Sequence, residues 1–328
     1  MKLDLRLLAG AAAAIALPAS AMAVDLRLSH SAQASLDAEL HTAAWIFQQH
    51  LAEHSDTVSV TIYPNNALGQ EREVYEAMQI GSGAHCVISG TAILGNFNER
   101  IGVLDLPFMW QGYDHVHAVL DGEVGDILAD DLRDSGFEVV AWMDSWGYRN
   151  VVTAGAAITG PDDLRGKRIR TIPTETYIAA INAMGANATP MAFGEIYTSM
   201  ETGVLDGLEH SAAMIYANRF FEVADNITLT QHLFGPLVFA CSNQFWGGLN
   251  DQQRAEVTAA AHFARDVQRA LAPVREGQAL ERLAARGMSI NEIDTTAMQE
   301  AAREVQDQLA AAMGATGLLE TIRELGAR

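Results

Sequence analysis

The residues best suited to chemistry are two arginines beside predicted strands. Arg170 ends the strand predicted within DDLRGKRIRT (162–171), and open α/β sheets place their ligand crevice at the carboxyl ends of such strands. A guanidinium can hold a carboxylate through two parallel hydrogen bonds, which a lysine cannot do with the same geometry. Arg149 follows another predicted strand, and its neighbours Trp146 and Tyr148 are candidates for the wall of a cleft or for the core. The sequence therefore predicts a site for a small acid.

The other basic residues of that stretch are expected to lie in solvent. Arg165, Lys167 and Arg168 have the carboxylates of Asp162 and Asp163 close by in sequence. Surface ion pairs of this kind contribute little. None of the three is therefore a candidate for the site.

Motifs of known enzyme chemistry are missing from the sequence. It contains no HExxH zinc motif, GxSxG nucleophile elbow, GxxxxGK[ST] phosphate loop or CxxC pair. His115 and His117 are two residues apart, a spacing that does not share one helix face, so a metal role is not favoured. His210 and His232 are the better functional candidates, but neither has a nucleophile beside it in sequence. We expect no catalytic group, no cofactor and no metal.

The acidic composition restricts the partners. The 328 residues include 41 Asp and Glu but only 21 Lys and Arg, which gives a formal net charge of −20. Nucleic acids and anionic membranes are bound through basic patches that replace counterions, so neither is expected as a partner. Because the overall field repels an anionic ligand, local arginines must hold it.

The N-terminus is typical of an export signal. Lys2 and Arg6 precede the apolar run 7–17, and residues 21–23 read Ala-Met-Ala, with small residues where signal peptidase cleaves. A bilayer span needs about 20 residues, so the run is too short to cross a membrane. We predict that residues 1–23 are a cleavable signal peptide and that the mature chain is periplasmic.

The two cysteines are compatible with a disulfide or with free thiols. Cys86 and Cys241 both fall in apolar, strand-like stretches. An exported chain can oxidise such a pair, but two buried thiols fit the sequence at least as well, since sequence alone does not place them within bonding distance.

Strands and helices alternate along the mature chain, which favours an α/β fold. Leu26 and Leu28 alternate with polar residues, helical spacing follows over 38–51, and residues 57–64 alternate again. A helix and the strand HCVIS (85–89) complete a βαβαβ series. We expect the chain to pass between two lobes near residues 145–150 and again near 235, with the ligand site between them.

The C-terminal part is Ala-rich and helical. Asn250 is the predicted N-cap of a long helix, and Gln253 stands in the reciprocal capping position. Pro273 is expected to kink this helix or to split it in two.

Six segments follow one another in a recognisable order. They are YPNNALGQEREVYEAMQIGSG, LDLPFMW, WGYRN, DLRGKRIRT, PMAFGEIYTSMETGVLDGLEH and FFEVADNITLTQH. In this order and at nearly this spacing they resemble the extracytoplasmic solute-binding proteins of TRAP transporters, the DctP family. The resemblance covers essentially the whole mature chain.

The resemblance implies a two-lobed α/β fold of the type II periplasmic-binding-protein kind, with a long helix spanning both lobes. Lobe I is predicted to comprise residues 24–147 and about 236–272, and lobe II residues 148–235 and about 273–328. Such a protein captures a small organic acid and delivers it to the membrane permease subunits of a TRAP transporter. We expect it to be a monomer.

The same resemblance implies roles for eight residues. The arginine matching Arg170 forms the main salt bridge to the ligand carboxylate, and the one matching Arg149 assists it. Phe193 lies against the ligand, and His210 stands where many members have an asparagine that contacts the carboxylate or a neighbouring hydroxyl. Four further positions line or border the cleft: Ser31, Glu71, Ser89 and His232.

Other functions remain open at this stage. The first alternative is a secreted α/β enzyme that acts on a carboxylate substrate, and the second is a binding protein that serves a sensor or an ABC importer. The acid itself is not specified, because four-carbon dicarboxylates, aldonic or uronic sugar acids and other hydroxy acids all suit two arginines and a histidine.

Overall fold

Two separate mixed β-sheets organise the molecule. The computed structural model describes residues 23–144 and 147–327. The first sheet has the strand order β2-β1-β3-β10-β4, and the second has the order β11-β9-β5-β8-β6-β7. The strands are β1 (Val24–Ser29), β2 (Val58–Tyr63), β3 (Cys86–Gly90), β4 (Phe137–Met143), β5 (Arg149–Thr153), β6 (Arg168–Thr171), β7 (Asn187–Pro190), β8 (Gly207–Ser211), β9 (Asn226–Leu233), β10 (Leu237–Ser242) and β11 (Ser289–Glu292).

Helices cover both sheets. They are α1 (Glu39–His54), α2 (Glu71–Gln79), α3 (Thr91–Leu94), α4 (Tyr113–Leu120), α5 (Glu123–Asp134), α6 (Glu175–Ala183), α7 (Ile196–Glu201), α8 (Ala212–Ala217), α9 (Asn243–Gly248), α10 (Asp251–Ala285), α11 (Thr296–Ala312) and α12 (Thr316–Gly326). Short 3-10 turns span Glu99–Asp105, Pro161–Leu164, Phe193–Glu195 and Phe220–Glu222. None of the helices in the described part of the chain has the length and apolarity that a membrane crossing requires.

The first sheet begins with the predicted βαβαβ series. β1 pairs in parallel with β2 and with β3, and helices α1 and α2 make the crossovers. Leu26 and Leu28 are both fully buried, as their alternation with polar residues predicts. β10 then returns to this sheet and runs antiparallel between β3 and β4.

A disulfide joins the returning strand to the first sheet. Cys86 and Cys241 are cross-strand neighbours of β3 and β10, and their sulfurs are bonded. The bond links residues 155 positions apart, so its loop contains strands β5 to β9 of the second sheet but not β11. Closing a loop of this length reduces the freedom of the unfolded chain, which stabilises the fold by about 2–4 kcal/mol in typical proteins.

Helix α10 is continuous from Asp251 to Ala285 and is about 50 Å long. Its predicted capping box is confirmed, because Asn250 Oδ1 accepts from Gln253 N at 2.9 Å and Gln253 Oε1 accepts from Asn250 N at 3.0 Å. Pro273 lies inside the helix and does not split it. The helix packs on α1 and β4 of the first lobe and on α8 and β11 of the second lobe, and these contacts hold it in one piece.

The C-terminal helices return toward the first sheet. α11 packs on α6, and α12 packs on α4 and α5. The chain passes between the sheets from β4 to β5, from β9 to β10 and along α10. The limits proposed for the two lobes stay a prediction. Residues 1–22 of the predicted signal peptide, and Trp146, lie outside the described parts of the chain.

Candidate functional site

Three strand ends of the second sheet meet at one edge and bring the predicted residues together. β5 runs antiparallel to β8, which places Arg149 opposite Ser211, and β6 runs parallel to β8 with Arg170 opposite Leu208. The start of β5 and the ends of β6 and β8 therefore share this edge. The prediction that Arg149 stands at the end of a strand is wrong, because β4 ends at Met143 and Arg149 is the first residue of β5, directly after the passage between the sheets.

Arg149 is fully buried and is neutralised by Glu209. Its Nε and Nη2 donate to the Glu209 carboxylate at 2.5 and 2.8 Å, and its guanidinium lies 5.3 Å from the centre of the Tyr177 ring. Burial alone would raise the pKa of Glu209, but the Arg149 charge lowers that pKa to about 2. The charge of Arg149 is therefore balanced inside the second lobe. The sequence interpretation missed this pairing, although Glu209 directly precedes His210.

His232 lies against the same carboxylate. Its Nδ1 is hydrogen-bonded to Thr230 Oγ1 at 2.8 Å, and its Nε2 is 3.7 Å from Glu209 Oε2. The side chain is fully buried, and this burial lowers its pKa. The structure thus places His232 beside the Arg149–Glu209 pair.

Arg170 differs from Arg149 in its hydrogen bonds. Its Nε and Nη2 both donate to the backbone oxygen of Met191, at 3.0 and 2.8 Å. Its Nη1 is buried and has no hydrogen-bond partner within the described residues. Burial lowers the pKa of Arg170 to about 10, so the group remains charged at neutral pH. One edge of the guanidinium is thus fixed by the backbone, while a buried N–H group on the other side is available to an anion.

Of the neighbouring basic residues, Arg165 and Arg168 are exposed, as predicted, and Lys167 is half-buried. Arg165 pairs with Asp162 at 3.0 Å. Arg168 pairs with Asp206 at 2.8 Å, a partner that the sequence did not suggest. Its charge is therefore satisfied at the surface.

His210 is a neutral imidazole next to both arginines. Its Nδ1 accepts from the backbone N–H of Ser211 at 2.9 Å, so the ring proton resides on Nε2. Burial, together with the charges of Arg149 and Arg170, holds its pKa well below the ordinary value. Phe193 meets the ring edge-to-face at 5.8 Å between centroids. His210 is therefore a hydrogen-bonding group that does not become charged at neutral pH.

Three predicted residues of the first lobe form a separate cluster. The hydroxyls of Ser31 and Ser89 both donate to Glu71 Oε1, at 3.2 and 2.7 Å. The Glu71 charge also acts to raise the pKa of Arg170, although burial outweighs it. Glu71 is therefore close enough to Arg170 to favour its charged form.

A buried carboxyl also connects the lobes, and sequence reasoning missed it. Asp105 accepts from Thr91 Oγ1 at 2.8 Å and from the Tyr177 hydroxyl at 3.0 Å. The guanidinium of Arg149 lies over the ring of the same tyrosine. A Cβ at Gly235 would lie 2.5 Å from the Tyr177 hydroxyl, so the chain needs glycine where it returns to β10. Burial raises the pKa of Asp105 to about 7.

Asp105→Asn is expected to remove a pH dependence of stability. The raised pKa means that the folded state binds the proton more tightly, so this group's contribution is present below about pH 4 and is lost as the pH rises to 7. Asparagine fits the site, because Thr91 Oγ1 also reaches Pro236 O at 3.2 Å and can accept from the new amide. The free energy of unfolding of the variant relative to the wild type is measured by urea unfolding at pH 5 and pH 8. This difference should favour the variant by a few kcal/mol more at pH 8 than at pH 5. A stability difference between variant and wild type that is the same at both pH values would contradict the raised pKa of Asp105.

Metal ligation finds no support in the described residues, where no group of three or more His, Cys, Asp and Glu is placed to hold an ion. His115 and His117 lie on α4 but have different partners, since His115 bonds Ile322 O at 2.8 Å and His117 bonds Asp144 at 2.6 Å.

Comparisons with known proteins point to one family. The family model described as bacterial extracellular solute-binding protein, family 7 (DctP), matches residues 29–312. The 2,3-diketo-L-gulonate-binding periplasmic protein YiaO of Escherichia coli K12 is 30% identical over 263 residues, which are 80% of this chain and 80% of that protein.

Solved structures share the whole fold. A TRAP periplasmic solute-binding protein of Sulfitobacter sp. NAS-14.1 with bound β-D-galacturonate superposes with a TM-score of 0.86 at 28% identity, covering 92% of this chain and 100% of that one. The sugar acid binding protein DctPAm of Advenella mimigardefordensis in complex with galactonate gives a TM-score of 0.87 at 26% identity, with 93% and 99% covered. These likenesses confirm the predicted two-lobed fold.

Proposed function

Because this chain belongs to family 7 of the bacterial extracellular solute-binding proteins, we propose that it captures a small organic acid between its lobes and delivers it to the membrane subunits of a TRAP transporter. The resemblance noted in the sequence is confirmed by the family match and by the TRAP solute-binding proteins that share its fold. The observation that carries the proposal for the site is the buried Nη1 of Arg170, which has no hydrogen-bond partner in the described residues.

Arg170 would hold the ligand carboxylate. A buried N–H group without a partner costs about 1–3 kcal/mol, so an anion that accepts from it is favoured. A small acid has little apolar surface, and its affinity must come from charge-assisted hydrogen bonds of about 1.5–3 kcal/mol each. A few such bonds suffice for a micromolar dissociation constant, which corresponds to about −8 kcal/mol.

The other predicted residues would complete the site. Arg149 adds positive potential beside Arg170, although its own charge is paired with Glu209. His210 would offer a neutral hydrogen bond to the carboxylate or to a neighbouring hydroxyl. Phe193 would cover one face of the ligand.

From the first lobe, the cluster of Ser31, Glu71 and Ser89 would receive ligand hydroxyls. His232 would act indirectly, since it lies against Glu209. A ligand that touches this cluster and Arg170 binds the closed form better than the open form, and so shifts the protein toward closure.

Sugar acids are the ligand class that fits best, with four-carbon dicarboxylates as the other candidates. A cavity of about 320 Å³ lies beside Phe193, and Arg170 is not among its lining residues. It is lined by Gln33, Asn65 and Asn66 of the first lobe and by Tyr197, Asn218, Phe220 and the ion-paired Arg219 and Glu222 of the second. Amides and aromatic rings suit a polyhydroxylated chain, because they pair with hydroxyls and stack on C–H faces. The negative Glu71 also favours hydroxyls over a second carboxylate.

A thermal-shift screen tests the proposed function. Purified mature protein is heated with D-galacturonate, D-glucuronate, D-galactonate, succinate and the matching neutral sugars. A ligand at a hundred times its dissociation constant adds about 2.7 kcal/mol, which raises the melting temperature by about 4 °C for a chain of about 300 residues. Neutral sugars should give no shift. The proposal fails if no acid stabilises the protein or if D-galactose does so equally well.

A further inference from the structure

Glu276 of α10 is hydrogen-bonded to the segment in which the chain first passes from one lobe to the other. Its Oε1 accepts from the backbone N–H of Tyr148 at 3.0 Å, and its Oε2 accepts from the Tyr113 hydroxyl at 2.8 Å. Gly147 has φ +106°, and a Cβ there would lie 3.0 Å from the Glu276 carboxyl carbon. The carboxylate therefore packs directly on the segment that leads into Arg149.

The second passage between the lobes packs on the same group of residues. Phe234 lies between β9 and β10, and its ring meets Tyr148 at 5.2 Å and Tyr113 at 5.4 Å between centroids, edge-to-face in both cases. Tyr113 opens α4 of the first lobe. Since Glu276 itself belongs to α10, the three connections between the lobes converge around one carboxylate.

The same helix also holds the other end of the first passage. The Gln268 side chain is fully buried, accepts from Asp144 N at 3.0 Å and donates to Asp144 O at 3.2 Å. Pro273 lies between Gln268 and Glu276. Because proline has no N–H, it removes one intrahelical hydrogen bond, and the helix bends most easily there. Gln268 and Glu276, which hold the two ends of the first passage, thus lie on either side of Pro273, where α10 bends most easily.

We propose that Glu276 is a positioning residue that fixes the segment preceding Arg149 and the angle between the lobes, so that the lifetime of the loaded, closed form depends on it. The inference rests on the proposed function, since it takes the two lobes to close on a ligand near Arg149. Both carboxylate oxygens of Glu276 are taken by Tyr148 N and the Tyr113 hydroxyl, so in this proposal it does not bind the ligand directly. It acts through Tyr148, the residue directly before Arg149.

The role requires hydrogen bonds to Tyr148 N and to the Tyr113 hydroxyl more than it requires a charge, and an amide can make both, because its NH2 group can donate to the hydroxyl oxygen. Burial raises the pKa of Glu276, and no Lys or Arg of the described residues forms an ion pair with it. Glutamine keeps an acceptor oxygen for Tyr148 N and has the same shape. Glu276→Gln should therefore preserve much of the function, whereas Glu276→Ala removes both acceptors and leaves the Tyr148 N–H without its partner.

The test combines ligand release with the distance between the lobes. Ile80 and Val204 are 79% and 51% exposed, and they follow α2 of the first lobe and α7 of the second lobe. Ile80→Cys and Val204→Cys carry spin labels, while the native cysteines stay oxidised. Glu276→Ala, Glu276→Gln and the control Glu281→Ala, on an exposed position of the same helix, are compared with D-galacturonate as the probe.

For Glu276→Ala we expect ligand release and the dissociation constant to rise by about tenfold, with a broader distance distribution in the ligand-free protein. Glu276→Gln should stay within about threefold of the wild type, and Glu281→Ala should match it. If Glu276→Ala does not fold, Tyr113→Phe, which removes one donor, should still accelerate release. A folded Glu276→Ala protein with the release rate and the distance distribution of Glu281→Ala would overturn the proposal.

The ligand-free distance distribution separates this inference from the proposed function. If the wild type binds no acid at all, the proposed function fails. The role of Glu276 in setting the angle between the lobes is then decided by whether the unliganded distribution of Glu276→Ala is broader than that of Glu281→Ala.

Discussion

Replacing Arg170 with alanine is expected to abolish measurable binding of the acid. The ligand carboxylate would enter a cleft without the cation that faces it, and truncating one partner of a buried charge pair costs about 2–5 kcal/mol. A loss of about 4 kcal/mol in binding free energy lowers the affinity almost a thousandfold. A ligand that binds with a micromolar dissociation constant would then be beyond the range of titration calorimetry. The fold should persist, because Arg170 forms no ion pair with any described residue and its bonds to the protein are those to Met191 O.

Two further variants make this result specific. Arg168→Ala removes a positive charge two residues away on β6, but this side chain is exposed and already paired with Asp206. It should bind the acid as the wild type does. Arg170→Lys keeps the charge but loses the planar fork, so its affinity should lie between the wild type and Arg170→Ala. Near-normal affinity of Arg170→Ala in calorimetry would remove Arg170 from the site.

Much of the fold follows from local sequence patterns. The alternation of Leu26 and Leu28, the βαβαβ series and the capping box of Asn250 and Gln253 each depend on residues a few positions apart, and all are present. The position of Arg170 at the end of β6 is of the same kind, because a strand and its direction indicate which residues reach the edge of a sheet.

Side-chain partners over long separations could not be predicted in this way. Arg149 pairs with Glu209 across 60 positions, the Tyr177 hydroxyl donates to Asp105 across 72, and Cys86 bonds Cys241 across 155. Periodicity identifies the face of a residue but not the element that covers that face.

Pro273 is a position where a local sequence rule predicts a break that the helix does not show. A proline inside a helix costs about 3 kcal/mol, yet α10 continues through it because its neighbours on both sides pack against other elements. Tertiary packing here outweighs the local preference.

Glu209→Ala is expected to be the most destabilising single change near the site. Glu209 is the buried counter-ion of Arg149, and removing one partner of a buried ion pair costs about 3–5 kcal/mol because the other charge remains desolvated. The melting temperature of the unliganded protein should fall by about 5–8 °C. The pKa of about 2 for Glu209 means that the pair stabilises the wild type above the unfolded carboxyl's pKa and ceases to do so as the pH falls toward 2.

Asp206→Ala is the matched control, because it removes a carboxylate that pairs with an arginine of β6 at the surface. Surface pairs contribute about 0–1 kcal/mol, and Asp206 also accepts from the backbone N–H of Arg168 at 2.8 Å, so this variant should lose much less stability than Glu209→Ala. The double variant Arg149→Met with Glu209→Met should be more stable than Glu209→Ala, since it leaves no unpaired charge in the interior. Equal melting temperatures for Glu209→Ala and Asp206→Ala would mean that the interior tolerates the Arg149 charge alone, and the pair would then have no structural role.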